Sequence, residues 1–142
     1  MCIFCAIVEG TADASLIYED KHCIAFMNIR PINPGEFMVI PKQHIDHFTD
    51  LPDELASHIL LTAQKFGRRL RNIREPARIG YVVHGFGVPH AHLNVVPLHQ
   101  SDDIMSAKHV ELIDGGFRLT EENLDKPSRA ELDAMAKLLS KK

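Results

Sequence analysis

The sequence predicts an α+β domain with a largely antiparallel sheet, one long central helix and a C-terminal helix. Three observations support this class. β-branched and aromatic residues alternate with polar ones in the first 30 residues, and an apolar period of three to four residues runs from Pro52 to Ile73. Strand-like runs then lie on both sides of a glycine-containing turn at 85–87. The length of 142 residues suits a single domain over 1–142 with one core.

The N-terminal elements are predicted from alternation and from chain breakers. The segment LIYEDKHCIAFMNI at 16–29 has the alternation of one or two strands. Prolines and a glycine between 31 and 35 predict a turn before the apolar run Phe37 to Ile40, which Pro41 ends. This run is predicted to be a buried strand.

The central helix is predicted over Pro52 to Ile73, and its apolar residues fall on one face. They are Leu55, Ile59, Ala63, Phe66 and Leu70. Two strands follow, Tyr81 to Val83 and Ala91 to Val96, and the C-terminal helix is predicted over Ser128 to Leu139. Residues 101–120 have little periodicity and receive no element.

Composition and charge exclude several classes of partner. Hydrophobic residues make up 45% and charged residues 25% of the chain, as in soluble globular domains. The net charge of −3 and the scattered basic residues argue against nucleic-acid and membrane surfaces, so a small-molecule partner is expected. The chain has no apolar run of roughly 20 residues and no N-terminal signal core, so we expect a cytoplasmic protein. Cys2, Cys5 and Cys23 are an odd number without an export signal, which favours metal binding over a disulfide framework.

The segment HAHLN at 90–94 concentrates the candidate chemistry. Side chains two apart on a strand share a face and lie about 6.5 Å apart, so His90, His92 and Asn94 are predicted on one face. Three polar side chains on a buried strand need partners, which favours a site. Neutral imidazole can attack phosphorus through one nitrogen while the other holds a proton, so His92 is a candidate nucleophile. The alternative is a core in which these histidines only satisfy one another.

Three separated motifs, CIFCAIV at 2–8, PGEFMVIPKQH at 34–44 and HAHLNVVP at 90–97, together resemble the histidine-triad (HIT) family. The resemblance covers a motif-bearing core of about 2–99 and leaves a C-terminal extension at 100–142. It implies the HIT-like fold, a homodimer and a purine nucleotide or nucleotide conjugate bound at the histidine row. In the family pattern His-x-His-x-His the middle histidine forms a covalent nucleotidyl intermediate. That role falls on His92, with His90 and Asn94 beside it in the catalytic row.

The resemblance also implies a nucleotide pocket. Its base-binding walls would be Phe4, Ile7, Phe26 and Ile29, and Asn28 would reach the ribose hydroxyls. Without the resemblance the apolar members are ordinary core residues. Asn28 replaces the usual acidic residue and, being neutral, should bind a ribose less strongly.

A zinc site is the second implied site. Cys2 and Cys5 form a C-x-x-C pair, which alone is a weak signal for tetrahedral zinc. Zinc-containing bacterial members of the family complete the set with residues that correspond to His44 and His90, and a structural zinc cofactor is therefore expected. The alternative is a pair of metal-free thiols.

Two further departures from the family pattern bear on activity. Glu36 stands where a histidine is common and would repel an anionic substrate if its side chain pointed inward. Asn94 stands where the third histidine is expected and cannot relay a proton. We predict a hydrolase of nucleoside phosphoramidates or dinucleoside polyphosphates. The alternatives are a nucleotidyl transferase, since related transferases carry an amide at the third position, and a nucleotide-binding sensor with little turnover. A further interpretation is that the asparagine at position 94 was introduced by engineering.

Overall fold

The computed structural model describes residues 1–105 and 109–141. It contains three α-helices and seven strands in these described residues, with a short 3-10 turn at Phe48–Asp50. In chain order the elements are α1 (Ile3–Glu9), β1 (Leu16–Glu19), β2 (Cys23–Met27), β3 (Phe37–Pro41), α2 (Asp53–Arg74), β4 (Arg78–Val82), β5 (Leu93–Leu98), β6 (Val110–Ile113), β7 (Gly116–Leu119) and α3 (Arg129–Ser140). The predicted α+β class, the long central helix and the C-terminal helix are confirmed.

The main sheet has five strands in the order β1-β2-β3-β5-β4, and every neighbouring pair is antiparallel. Two strand boundaries differ from the sequence prediction. β4 begins three residues earlier than Tyr81, because Arg78 and Ile79 still pair with β5. β5 begins at Leu93, so His90 lies in a bend and His92 in the short irregular segment that leads into the strand.

Two elements were not predicted from the sequence. The seven-residue helix α1 is too short to display a helical period, and its end is marked only by Gly10 at φ 77°. The β6-β7 hairpin lies in the stretch without periodicity, because Leu112, Phe117 and Leu119 are all exposed and no buried face imposes alternation.

The main core lies between the sheet and helices α2 and α3. The predicted face of α2 is confirmed, since Ile59, Ala63, Phe66 and Leu70 are buried and Leu55 packs against them half-buried. A side-chain capping box starts α3: Ser128 accepts from the backbone of Glu131, and the Glu131 carboxylate accepts from the backbone of Ser128. Among the described residues, no helix has both the length and the apolar character required to cross a membrane.

Candidate functional site

The three central strands separate their side chains onto two faces. Side chains of one parity enter the main core under α2: Cys23, Ala25, Met27, Phe37, Val39, Ala91, Leu93 and Val95. The other face carries a second apolar cluster, formed by Phe4 from α1 with Ile24, Phe26, Met38 and Ile40. Strand pairing aligns Phe26 with Met38 and Met38 with Asn94, which places Asn94 on this second face. We call this second face the site face.

His92 lies at the start of the site face and is almost completely buried, with 8% of its surface exposed. Its ring packs edge-on against Phe4, with centroids 5.3 Å apart and an interplanar angle of 84°. Nδ1 lies 2.7 Å from the backbone carbonyl oxygen of His90, an acceptor that requires the proton on Nδ1. The lone pair of the neutral ring is therefore on Nε2, which has no hydrogen-bond partner among the described residues.

His90 is fully buried and has the opposite tautomer. Its Nε2 donates to the carbonyl oxygen of Pro41 at 2.8 Å, which leaves the Nδ1 lone pair directed at the two thiols of the N-terminal segment. Burial lowers the pKa of His90 and keeps the ring neutral, the state that a metal ligand needs. The carbonyl oxygens that accept these two hydrogen bonds, from Pro41 for His90 and from His90 for His92, could not be predicted from the sequence. Their positions depend on the path of the folded chain.

The structure brings together the four residues that the resemblance implied as zinc ligands. One donor atom from each of Cys2, Cys5, His44 and His90 lies within 4.8 Å of all the others. The Cys5 Sγ lies 3.2 Å from His44 Nδ1 and 3.6 Å from His90 Nδ1, and the Cys2 Sγ lies 3.5 Å from His90 Nδ1. Adjacent sulfur and nitrogen ligands of tetrahedral zinc are separated by about 3.5 Å. The donor set and its spacing therefore fit zinc.

Asn94 is paired in the sheet with Met38 on one side and Val82 on the other. Its Oδ1 is buried and has no hydrogen-bond partner among the described residues. A buried acceptor without a donor costs about 1 to 3 kcal/mol. The third position of the row therefore carries an unsatisfied amide oxygen and no titratable group.

The side chain of Glu36 points into the protein and not toward solvent. Glu36 is buried, with 1% of its surface exposed, and the Asn28 Nδ2 donates to one of its carboxylate oxygens. Asn28 in turn accepts the backbone N–H of Arg30 at 2.9 Å through Oδ1. Four residue steps along β3 lead from Glu36 to Ile40 at the His92 end, a distance of about 13 Å. The carboxylate therefore lies at the Asn28 end of the site face, away from His92.

The remaining residues implied for the nucleotide pocket differ in exposure. Phe4 and Phe26 are buried and pack edge-to-face with centroids 5.4 Å apart, and Ile7 packs half-buried against the same cluster. Ile29 is 57% exposed and stands outside the cluster. A cavity of about 490 Å³ lies beyond Asn28 and Glu36, between the 31–36 turn and the 125–135 segment, and neither His90 nor His92 lines it.

A second polar cluster joins the β1-β2 turn to α2. Asp20 lies 2.6 Å from His58 Nε2, accepts the Tyr18 hydroxyl at 2.8 Å, and accepts the backbone N–H of both His22 and Cys23. Burial alone would raise the pKa of Asp20, but these hydrogen bonds hold it well below its usual range. Each carboxylate oxygen already has two partners, so this cluster is a structural connection. Burial raises the pKa of the Cys23 thiol to about 11, which agrees with packing as its role.

These features define a small α+β domain that holds a buried histidine pair beside an aromatic cluster on one sheet face. The HIT domain profile matches residues 9–101, and the chain belongs to the HIT-domain family.

Relatives and solved structures agree with this assignment. The chain is 33% identical to Protein hit of Bacillus subtilis over 107 residues, which are 72% of this chain and 74% of that protein. A zinc-bound histidine triad family protein from Mycobacterium smegmatis superposes with a TM-score of 0.74 at 29% identity, covering 98% of this chain and 90% of that one. A Hit-like protein from Bartonella henselae reaches 0.77 at 22% identity, covering 98% and 94%, and supports the fold alone.

Proposed function

We propose that this chain is a nucleotide-binding hydrolase that cleaves a nucleoside phosphoramidate or a dinucleoside polyphosphate through a covalent nucleotidyl-His92 intermediate. The observation that carries the proposal is the tautomer of His92. With Nδ1–H donating to the His90 carbonyl at 2.7 Å, the Nε2 lone pair is available at the site face.

The proposed reaction has two displacements at the α-phosphorus. His92 Nε2 forms a bond to phosphorus while the bond to the leaving amine or polyphosphate oxygen breaks. The ring then carries a positive charge. This charge strengthens the hydrogen bond that Nδ1–H donates to the His90 carbonyl oxygen. Water attacks phosphorus in the second step, the Nε2–phosphorus bond breaks to restore the neutral ring, and the nucleoside monophosphate leaves. The attacking water releases one proton to solvent, which balances the proton that the leaving amine took from solvent in the first step.

The nucleotide is proposed to lie along the site face. The purine would pack against the cluster of Phe4, Ile7 and Phe26, with Ile29 covering it from the exposed side. Asn28 would contact the ribose. The burial of Phe4 and Phe26 supports this order, because the Phe4 ring touches both Phe26 and His92.

Zinc is proposed as a structural cofactor held by Cys2, Cys5, His44 and His90. It would supply a fixed tetrahedral centre and take no part in the displacement. Its effect on catalysis would be positional. Cys2 caps the start of α1, α1 itself carries Cys5 and also Phe4, and His90 provides the carbonyl that orients His92.

A homodimer is also proposed. β4 is an edge strand of the main sheet, and it carries the exposed side chain of Tyr81, with exposed Val83 just beyond it. Leu60 and Leu61 are exposed on α2. The Tyr81 hydroxyl packs against the same helix at Gly67, where an added Cβ atom would lie only 2.4 Å from the hydroxyl oxygen. An open edge beside exposed apolar residues favours pairing with a second copy. Light scattering at micromolar concentration should give the mass of a dimer, and a monomer mass would contradict the proposal.

A second candidate is a nucleotide-binding module with little turnover, or a nucleotidyl transferase in which another phosphate replaces water. The unsatisfied amide of Asn94 favours these alternatives, because no group at that position can protonate a leaving amine.

Detection of the covalent intermediate tests the proposal directly. The protein is mixed with radiolabelled adenosine 5′-phosphoramidate or a diadenosine polyphosphate, quenched, and examined for an acid-labile label on the chain. We expect the label in the wild type and none in His92→Ala. His47→Ala is the matched control, because the His47 side chain is 76% exposed. Tight nucleotide binding without a label would support the module, and a label released only by an added phosphate acceptor would support the transferase.

A further inference from the structure

The hydrogen bonds around Asn28 fix the orientation of its amide. The backbone N–H of Arg30 can only donate, so the atom that faces it at 2.9 Å is the Asn28 oxygen. The amide nitrogen then faces the Glu36 carboxylate and donates to it. The opposite orientation would direct the amide N–H groups at the Arg30 N–H, and even a protonated Glu36 would not relieve that clash.

The consequence is a particular distribution of charge at this end of the site face. The carboxylate of Glu36 is 1% exposed and accepts the amide N–H of Asn28. The half-buried Asn28 presents one remaining amide N–H and one neutral oxygen that already accepts a bond. A hydroxyl that approaches Asn28 therefore finds no charged acceptor.

We propose that the Asn28–Glu36 pair makes this site insensitive to the ribose 2′-hydroxyl, so that it accepts ribonucleotides and 2′-deoxyribonucleotides alike. The inference depends on the proposed function for the placement of the ribose at Asn28. The Arg30 N–H keeps the amide in this orientation, and Glu36 accepts one of its N–H groups, a role that a glutamine side-chain oxygen can also fill.

The size of the effect follows from hydrogen-bond energetics. A neutral hydrogen bond that replaces one to water changes affinity little, and we expect dissociation constants for adenosine 5′-monophosphate and its 2′-deoxy analogue within about threefold. A carboxylate acceptor makes a charge-assisted bond, and discrimination would then reach roughly tenfold or more.

The experiment exchanges the two side chains. In the double variant Asn28→Asp/Glu36→Gln the carboxylate moves to the ligand side and the amide moves behind it, while the net charge and the hydrogen bond between them are retained. Isothermal titration of both nucleotides to wild type and variant gives the ratio of dissociation constants. We expect about threefold or less in the wild type and at least about tenfold in the double variant.

Two single variants serve as controls. Glu36→Gln removes the charge without giving position 28 a carboxylate, and Glu122→Gln removes a 72% exposed carboxylate 3.9 Å from Arg30 at the rim of the same turn. Both should keep the wild-type ratio. A wild-type preference of tenfold for the ribonucleotide would overturn the inference and leave the proposed function standing, and this measurement needs no variant. A folded double variant with an unchanged ratio would also overturn it. Failure of both nucleotides to bind the wild type would remove the proposed function and the inference with it.

Discussion

Replacing Asn94 separates the contribution of this residue to stability from its contribution to chemistry. The substitution Asn94→Leu keeps the shape of the side chain and removes the buried Oδ1 that has no partner among the described residues. The neighbours across the sheet, Met38 and Val82, are both apolar. Relief of even part of a penalty of about 1 to 3 kcal/mol should raise the free energy of unfolding by about 1 kcal/mol.

The corresponding shift in melting temperature follows from chain length. At about 2.1 cal/mol/K per residue, 142 residues have an unfolding entropy of roughly 0.3 kcal/mol/K, so 1 kcal/mol corresponds to an increase of about 3 °C. Scanning calorimetry or urea unfolding measures this change. A decrease in stability would refute the reasoning, because it would mean that Oδ1 has a favourable partner in solution.

The substitution Asn94→His tests chemistry at the same position. Proton transfer by a placed group is worth about 10² to 10⁴ in rate, so we expect at least about a tenfold gain in turnover of a substrate with a poor leaving group. An aryl phosphate leaving group needs little protonation and should gain less. His92→Ala in the same background should abolish both rates. Equal gains for the two leaving groups would indicate repacking, and no gain in a folded, nucleotide-binding variant would show that Asn94 is not limiting.

The remaining predictions concern the metal, the thiols and the turn cluster. Metal analysis of protein purified without chelators should find about one zinc per chain, and Cys2→Ser/Cys5→Ser should lose it and melt at a lower temperature; an unchanged melting temperature and no zinc would remove the site. Thiol titration with a chromogenic disulfide should modify Cys2 and Cys5 in chelator within minutes, whereas Cys23, fully buried with its pKa raised to about 11, should react only on unfolding. The Asp20 carboxylate, whose pKa is held low in the fold, stabilises the native state above about pH 4, and this contribution is lost as the pH falls toward its folded pKa. Asp20→Asn should therefore be less stable at pH 7 and show a flatter dependence of unfolding free energy on acid pH; parallel pH profiles would contradict this.

The sequence was sufficient where side-chain pattern and structure share a period. The buried face of α2, the buried strand at Phe37 to Ile40 and the two-face separation around His92 all follow from spacing alone. The zinc ligands were predicted through the resemblance, and their convergence depends on strand pairing that brings residues 44 and 90 to α1.

The sequence was insufficient where geometry depends on the backbone path. The tautomers of His90 and His92 are set by two carbonyl oxygens, which have no sequence signature. The inward orientation of Glu36 was left open because a charged residue after a glycine is more often exposed, and its burial becomes tolerable through hydrogen bonds, including those from the Asn28 amide and the Ile32 backbone N–H. The helix α1 and the exposed β6-β7 hairpin lack the length or the burial that produces a readable pattern.

The two-faced arrangement of the central strands has a consequence for how such a domain changes over evolutionary time. Odd-numbered positions of these strands fill the core under α2, and even-numbered positions form the site face with its second apolar cluster. The three departures from the family pattern, Asn28, Glu36 and Asn94, are all even-numbered. Substitutions at these polar positions can change the chemistry of the site without disturbing the core under α2, so a lineage can sample new substrates there while purifying selection for a packed interior acts on the apolar positions. A deep mutational scan should show this division, with abundance falling at the odd positions and at the buried apolar even ones such as Ile24 and Ile40, and activity falling without loss of abundance at the polar even ones.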